Sequence, residues 1–300
     1  MPEPPKETVE QRNKRHFLRV RMARLLTGGV IAVVHTIEQA MIAERFGARG
    51  VVVIGRTATQ AVGPTNGMIA RAPDPQAVKS ILENILLPTV ARVSVGHTME
   101  GIVMQSSYAD GIDESETLAS ASSRHIAYHR MNIPAISGVE NLDEALKAIT
   151  DGAAALRTKC PTAMPMMVLG HSREDTPDIR LVTSVIETIG NSIKDMAAKT
   201  AEERVAHAKD KGYGVGLLNQ TIQLGRLPVP FFADGGIIFP LDAAMAMDLG
   251  YDGVIASVQL FQAANPEKRM RSLVLATMHY DKPEFLAKIT EDHGTVGAIA

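Results

Sequence analysis

Short apolar runs alternate along the chain with longer segments that are apolar on one side only. The runs are Val30–Val34, Gly50–Ile54, Thr89–Val95, Gly111–Glu114, Ala135–Val139, Ala155–Lys159, Val229–Ala233 and Gly253–Ser257. They are rich in branched residues and bounded by Gly, Pro or Asp, so each predicts a strand. Stretches such as GVVVIG lack strict apolar–polar alternation, the pattern of parallel strands covered on both faces. The segments between them predict helices over Ile37–Phe46, Pro75–Leu86, Met99–Ser106, Leu142–Thr150, Pro240–Leu249 and Pro266–Tyr280, with a longer insertion reaching Gly225. Three of these helices repeat one local order. An acidic residue and small alanines lead to Gly47, Gly152 or Gly250, and a short strand follows. A glycine there supplies the positive φ of a helix cap.

This rhythm predicts an α/β protein, a (β/α)8 barrel. An open doubly wound sheet shares the alternation, but no clear switch point interrupts the order, which favours closure. Residues 1–12 read as a polar leader. Residues 13–293 read as a single barrel domain and residues 294–300 as a short tail. The domain starts with an N-terminal helix, Asn13–Leu26, which carries Lys14, Arg15, Arg19, Arg21 and Arg24 among apolar residues. Such a basic amphipathic helix is expected to cover a barrel end or to meet another subunit.

Composition narrows the function classes. Lys and Arg number 31 against 33 Asp and Glu, a net charge of -2, so no positive field recommends a nucleic-acid partner. No apolar run approaches the length of a membrane span, and the opening MPEPPKETVE lacks the apolar centre of a signal peptide. The expected location is cytoplasmic. A single cysteine, Cys160, excludes an internal disulfide framework and a Cys-rich metal site. No HExxH, CxxC, P-loop or GxSxG is present. His125 and His129 are four apart, but no acidic or cysteine ligand lies close in sequence, and no metal is expected.

In a barrel, ligands bind at the carboxyl ends of the strands. The polar residues at those ends are Arg92, His97, Asp113, Glu114, Glu116, Arg157, Lys159, Asp234 and Ser257. Lys159 closes the apolar run ALRTK. A partly desolvated lysine there offers an amine for a Schiff base, and a solvated lysine on the mouth is the plainer alternative. Within IDESE, alternation sends Asp113 and Ser115 to one face and Glu114 and Glu116 to the other. A carboxylate in the mouth serves as a base or pairs with Arg157 or Lys159. Gly235-Gly236 in FFADGG expose backbone N–H groups of the kind that hold phosphate.

These motifs together resemble the synthase subunit of glutamine-dependent pyridoxal 5'-phosphate synthase, the PdxS/SNZ family. The matching stretches are GGVI with EQA (28–40), ARVSVGH (91–97), GIDESE (111–116), the run from Asn132 to Lys159, LGRLPV (224–229), FADGG with DAA (232–244) and NPEKR through HY (265–280). The resemblance implies a lyase-type enzyme in hexameric or dodecameric rings. It implies a separate glutaminase subunit docking near the N-terminal helix. The implied product is pyridoxal 5'-phosphate, made from ribose 5-phosphate, glyceraldehyde 3-phosphate and ammonia, with intermediates carried on lysines.

The chain departs from that pattern in the mouth. Val33 stands where the family has an aspartate, and Arg92 where it has the lysine that opens the reaction. An arginine stays protonated and forms no Schiff base. Cys160–Pro165 replaces a glycine-rich phosphate loop, and Ala256-Ser257-Val258 replaces a glycine–serine–glycine turn. Asp113, Arg157 and Lys159 are retained catalytic positions. Gly235, Gly236, Ser257 and His97 are the expected ligand-binding positions. The expectation is a pseudoenzyme that needs no cofactor and joins homo-oligomers, or hetero-oligomers with an active paralogue. The alternative is an active synthase, or a carrier binding pyridoxal 5'-phosphate or a sugar phosphate at Lys159.

Overall fold

A computed structural model describes residues 9–55, 72–118, 121–122, 124–159, 179–263 and 265–293. Eight parallel strands close into a barrel in chain order, β1-β2-β3-β4-β5-β6-β7-β8. They are β1 (Val30–Val34), β2 (Gly50–Val53), β3 (Thr89–Ser94), β4 (Gly111–Ser115), β5 (Ala135–Val139), β6 (Ala155–Thr158), β7 (Phe231–Asp234) and β8 (Gly253–Ala256). The ring closes through the pairs Val30↔Val254, Ile31↔Ile255 and Ala32↔Ala256. The barrel expectation holds, and each predicted strand is found. The seventh starts two residues later than predicted, at Phe231, because Pro230 has no N–H to give a ladder.

The helices are α1 (Val9–Ala23), α2 (Ile37–Arg45), α3 (Pro75–Leu82), α4 (Thr98–Ser106), α5 (Leu142–Asp151), α6 (Ile179–Ala198), α7 (Ala201–Lys211), α8 (Val215–Leu224), α9 (Pro240–Asp248), α10 (Pro266–Met278) and α11 (Pro283–His293). The long insertion is thus helices α6 to α8. The last helix, α11, was not expected. Helix α1 spans Val9–Ala23, so residues 9–12 of the expected leader lie within it. Between β4 and β5 the described residues form only a 3-10 turn, Tyr128–Arg130, instead of a covering helix. Gly47, Gly152 and Gly250 do take positive φ, at 87°, 111° and 96°.

The strand residues are buried almost without exception. Val, Ile and Ala fill the wall, and Phe232 at 0% exposure is among the largest side chains in the core. Helix α1 and the turn after it close the N-terminal end of the barrel. Leu26 packs so tightly over Gly50 that a Cβ there would lie 2.4 Å from Leu26 Cδ2. Val20 and Ala23 are buried beside it, and Arg19 donates from Nη1 to the Tyr128 carbonyl at 3.0 Å. Phe17, Leu18, Leu25 and neighbouring Leu86 remain exposed on the outside of this end. Among the described residues no helix is long and apolar enough to cross a membrane.

Candidate functional site

Residues paired across a parallel ladder point to the same face. The register therefore sorts the side chains. Arg92 pairs with Asp113, and Gly138 pairs with Arg157. Val90, two before Arg92, pairs with Val52, which pairs with Val33. Val33, Arg92, Asp113 and Arg157 thus share the inner face, and Asp234 joins them two residues after Phe232, the partner of Arg157.

The inner face holds a buried ion network. Asp113 accepts from Arg92 Nε at 2.7 Å and from Arg157 Nε at 2.8 Å. Arg157 also grips Glu116 with both terminal nitrogens, at 2.9 and 2.8 Å, and donates to the Glu114 carbonyl at 3.1 Å. Asp234 Oδ2 stands 3.5 Å from Arg92 and 3.6 Å from Arg157. Burial pushes the Asp113 carboxyl up, but the two guanidiniums outweigh it and hold the group below the usual carboxylate range. Burial alone would lower Arg157, yet Asp113 and Glu116 hold its guanidinium firmly protonated. Gly138 makes room for the Arg157–Glu116 pair: a Cβ there would lie 2.8 Å from Glu116 Oε2.

The outer face of the same strand carries a second buried carboxylate. Glu114 accepts from Gly96 N at 2.8 Å and Ile126 N at 2.7 Å, from the Tyr128 hydroxyl, and pairs with His125 Nδ1 at 2.7 Å. These bonds fasten the chain after β4 to the barrel wall in place of a helix. Burial raises the Glu114 carboxyl, but the bond and charge of His125, with the bonds from Tyr128 and Gly96, together outweigh it and hold the group below its ordinary value. His125 in turn is held above its ordinary value, first by its bond to Glu114.

The expected site residues thus divide. Asp113, Arg157 and Arg92 come together, with Val33 on the same inner face. Lys159 does not join them. Strand β6 ends at Thr158, one residue short of the expected end. Beyond it, the Lys159 amine lies 3.6 Å from Glu144 Oε2 and 4.0 Å from Glu140 Oε1, at the start of α5. Asp113 thus pairs with Arg157 rather than Lys159. Glu116 was expected on the Glu114 face, but it follows the last residue of β4 and turns back to Arg157. Alternation stops with the strand, and only the strand's end could have signalled this.

The expected ligand-binding positions have local roles. His97 caps α4, its Nδ1 accepting from Glu100 N at 3.2 Å. Ser257 caps the 3-10 turn Val258–Gln262 through Gln259 N. Gly235 and Gly236 follow β7 with φ of 106° and 70° and leave a side-chain-free turn beside Asp234. The expected phosphate-loop replacement, Cys160–Pro165, lies outside the described residues. Among the described residues no group of three or more His, Cys, Asp or Glu is placed to hold a metal ion.

Residues 15–234 match the SOR/SNZ family, and residues 205–293 also match thiazole biosynthesis protein ThiG. The chain is 39% identical over 276 residues to pyridoxal 5'-phosphate synthase subunit PdxS of Dictyoglomus turgidum, covering 91% of this chain and 88% of that one. It is 37% identical over 280 residues to the subunit of the same name from Thermus thermophilus, covering 92% and 90%. It is 34% identical over 290 residues to pyridoxal 5'-phosphate synthase subunit SNZERR of Suberites domuncula, covering 96% and 90%.

Proposed function

This chain belongs to the SOR/SNZ family, and on that premise we propose that it serves pyridoxal 5'-phosphate synthesis as a non-catalytic barrel. In this reading it joins oligomeric synthase complexes in the cytoplasm, as a homo-oligomer or beside an active paralogue. The observation that carries the reading is Arg92. Its guanidinium is locked between Asp113 and Asp234 on the inner face, where the family resemblance expects the attaching lysine. A protonated guanidinium attacks no carbonyl. The amine of Lys159 is held by Glu140 and Glu144 outside this network. The exposed apolar row of Phe17, Leu18, Leu25 and Leu86 supports a partner at the opposite end, and a glutaminase is the partner proposed.

An active synthase is the second reading. The curated relatives at 34–39% identity carry that activity in their names, and this chain retains Lys159, Asp113 and Arg157. It requires the Lys159 amine to leave its carboxylates and attack alone. The two readings part in one experiment. The protein is incubated with ribose 5-phosphate or pyridoxal 5'-phosphate, reduced with borohydride, and mapped by mass spectrometry, alone and mixed with an active homologue. The proposal expects no adduct at Lys159, and no pyridoxal 5'-phosphate from the sugars and ammonia. Cofactor formation by the chain alone would overturn it, and an adduct without turnover would make it a carrier.

A further inference from the structure

The inner-face network is unbalanced. Among the described residues, two guanidiniums, Arg92 and Arg157, face three carboxylates, Asp113, Glu116 and Asp234. The short bonds are shared unevenly. Asp113 takes one from each arginine, at 2.7 and 2.8 Å, and Glu116 takes a two-pronged grip. Asp234 is left with the long contacts, 3.5 and 3.6 Å, both to the same oxygen. Its other oxygen accepts no bond from the groups of this network. Its backbone is fixed, because its N–H donates to Thr158 Oγ1 at 2.7 Å. Its side chain is a tenth exposed, whereas Asp113 and Arg157 are fully enclosed. The least-bonded carboxylate of the cluster is therefore also one that faces the mouth.

We infer that Asp234 is the proton-holding acid of the lumen, able to give its proton to a ligand in the barrel mouth and take it back. Among the described residues, one proton on Asp234 leaves two cations against two anions. In the transfer the Asp234 O–H bond breaks and its proton passes to a basic oxygen or nitrogen of the ligand. The carboxylate left behind is stabilised by Arg92 and Arg157. Among the described residues, the charged groups around it are Arg92 on β3, Asp113 on β4, Glu116 just beyond β4 and Arg157 on β6. The neighbouring β8 residue in register is apolar Ile255. Burial pushes the Asp234 carboxyl up; Arg157 and Arg92 pull it down, the charges of Asp113 and Glu116 offset part of that pull, and the balance stays above the usual carboxylate range. This inference holds for an active and an inactive barrel alike, because it concerns where the proton resides.

The test is a carboxyl-carbon NMR titration of the whole chain labelled at aspartate. One aspartate resonance is expected to titrate well above the ordinary value of about 4, and to disappear in Asp234→Asn. If Asp234→Asn does not fold, Asp234→Glu is used instead, and the high-titrating signal should pass from the aspartate to the glutamate set. Titration of every aspartate at or below the ordinary value would overturn the inference. So would a high-titrating signal that survives either substitution.

Discussion

Asp113 and Glu114 are neighbours in sequence and both are buried carboxylates, but they live on opposite faces of β4 and in different chemistry. On the inside, Asp113 is held by two arginines whose charge does not change over any ordinary pH. On the outside, Glu114 is held by two backbone N–H groups, a tyrosine hydroxyl and a histidine. Both groups are kept ionised, so burial alone says little about what a carboxylate is for. The partners distinguish them. Permanent cations make a fixed electrostatic unit inside the mouth. Neutral donors plus one titratable ring make a fastening whose strength follows pH.

The largest effect should come from removing the cation shared by the inner unit. Arg157→Met leaves Asp113, Glu116 and Asp234 with only Arg92, and unpaired buried charge costs about 3–5 kcal/mol. Urea unfolding should show that loss, and a change within error of zero would mean the inner unit bears no structural weight. On the outer face, Glu114→Gln keeps the shape but cannot accept from every present donor. It should cost about 1–3 kcal/mol by the same measurement. A loss equal to that of Arg157→Met would erase the distinction between the two faces.

The smallest effect is a pH dependence. His125 is raised above its ordinary value of about 6.5, so its contribution is fully present below that value and fades as pH rises through the folded value. Glu114 is lowered from 4.5, so its contribution is present above that value and fades as pH falls through the folded one. The outer fastening is therefore strongest between about pH 4.5 and 6.5. In His125→Gln, the Tm decline on the alkaline side should flatten relative to the unchanged chain. The ring is 41% exposed, so the difference is small. A slope unchanged by the substitution would detach His125 from the effect.

Much of the architecture was legible from pattern. Branched apolar runs marked all the strands, and glycines at the helix ends marked the caps, because both signals are local. The site was legible only in part. Arg92, Asp113 and Arg157 could be placed inside by alternation, since each lies within a strand. Lys159 and Glu116 could not, since each sits just past a strand's end, where the backbone is free to turn. One residue of error there reverses a side chain. Helix α11 and the three-helix insertion were hidden for another reason. Their amphipathic stripes had no strand beside them to fix their bounds, so nearby packing, and not local sequence, sets where they begin and end.

Helix α1 closes one end of the barrel and the ion network lies at the other. Strand β4 runs from one end towards the other, with Asp113 at its middle and Glu116 just past its mouth end. A protein seated on Phe17 and Leu25 and a small molecule in the mouth therefore have no atoms in dispute. Their occupancies should add rather than exclude one another, and titrating either one against the other should leave both isotherms unmoved unless the strands themselves carry the message.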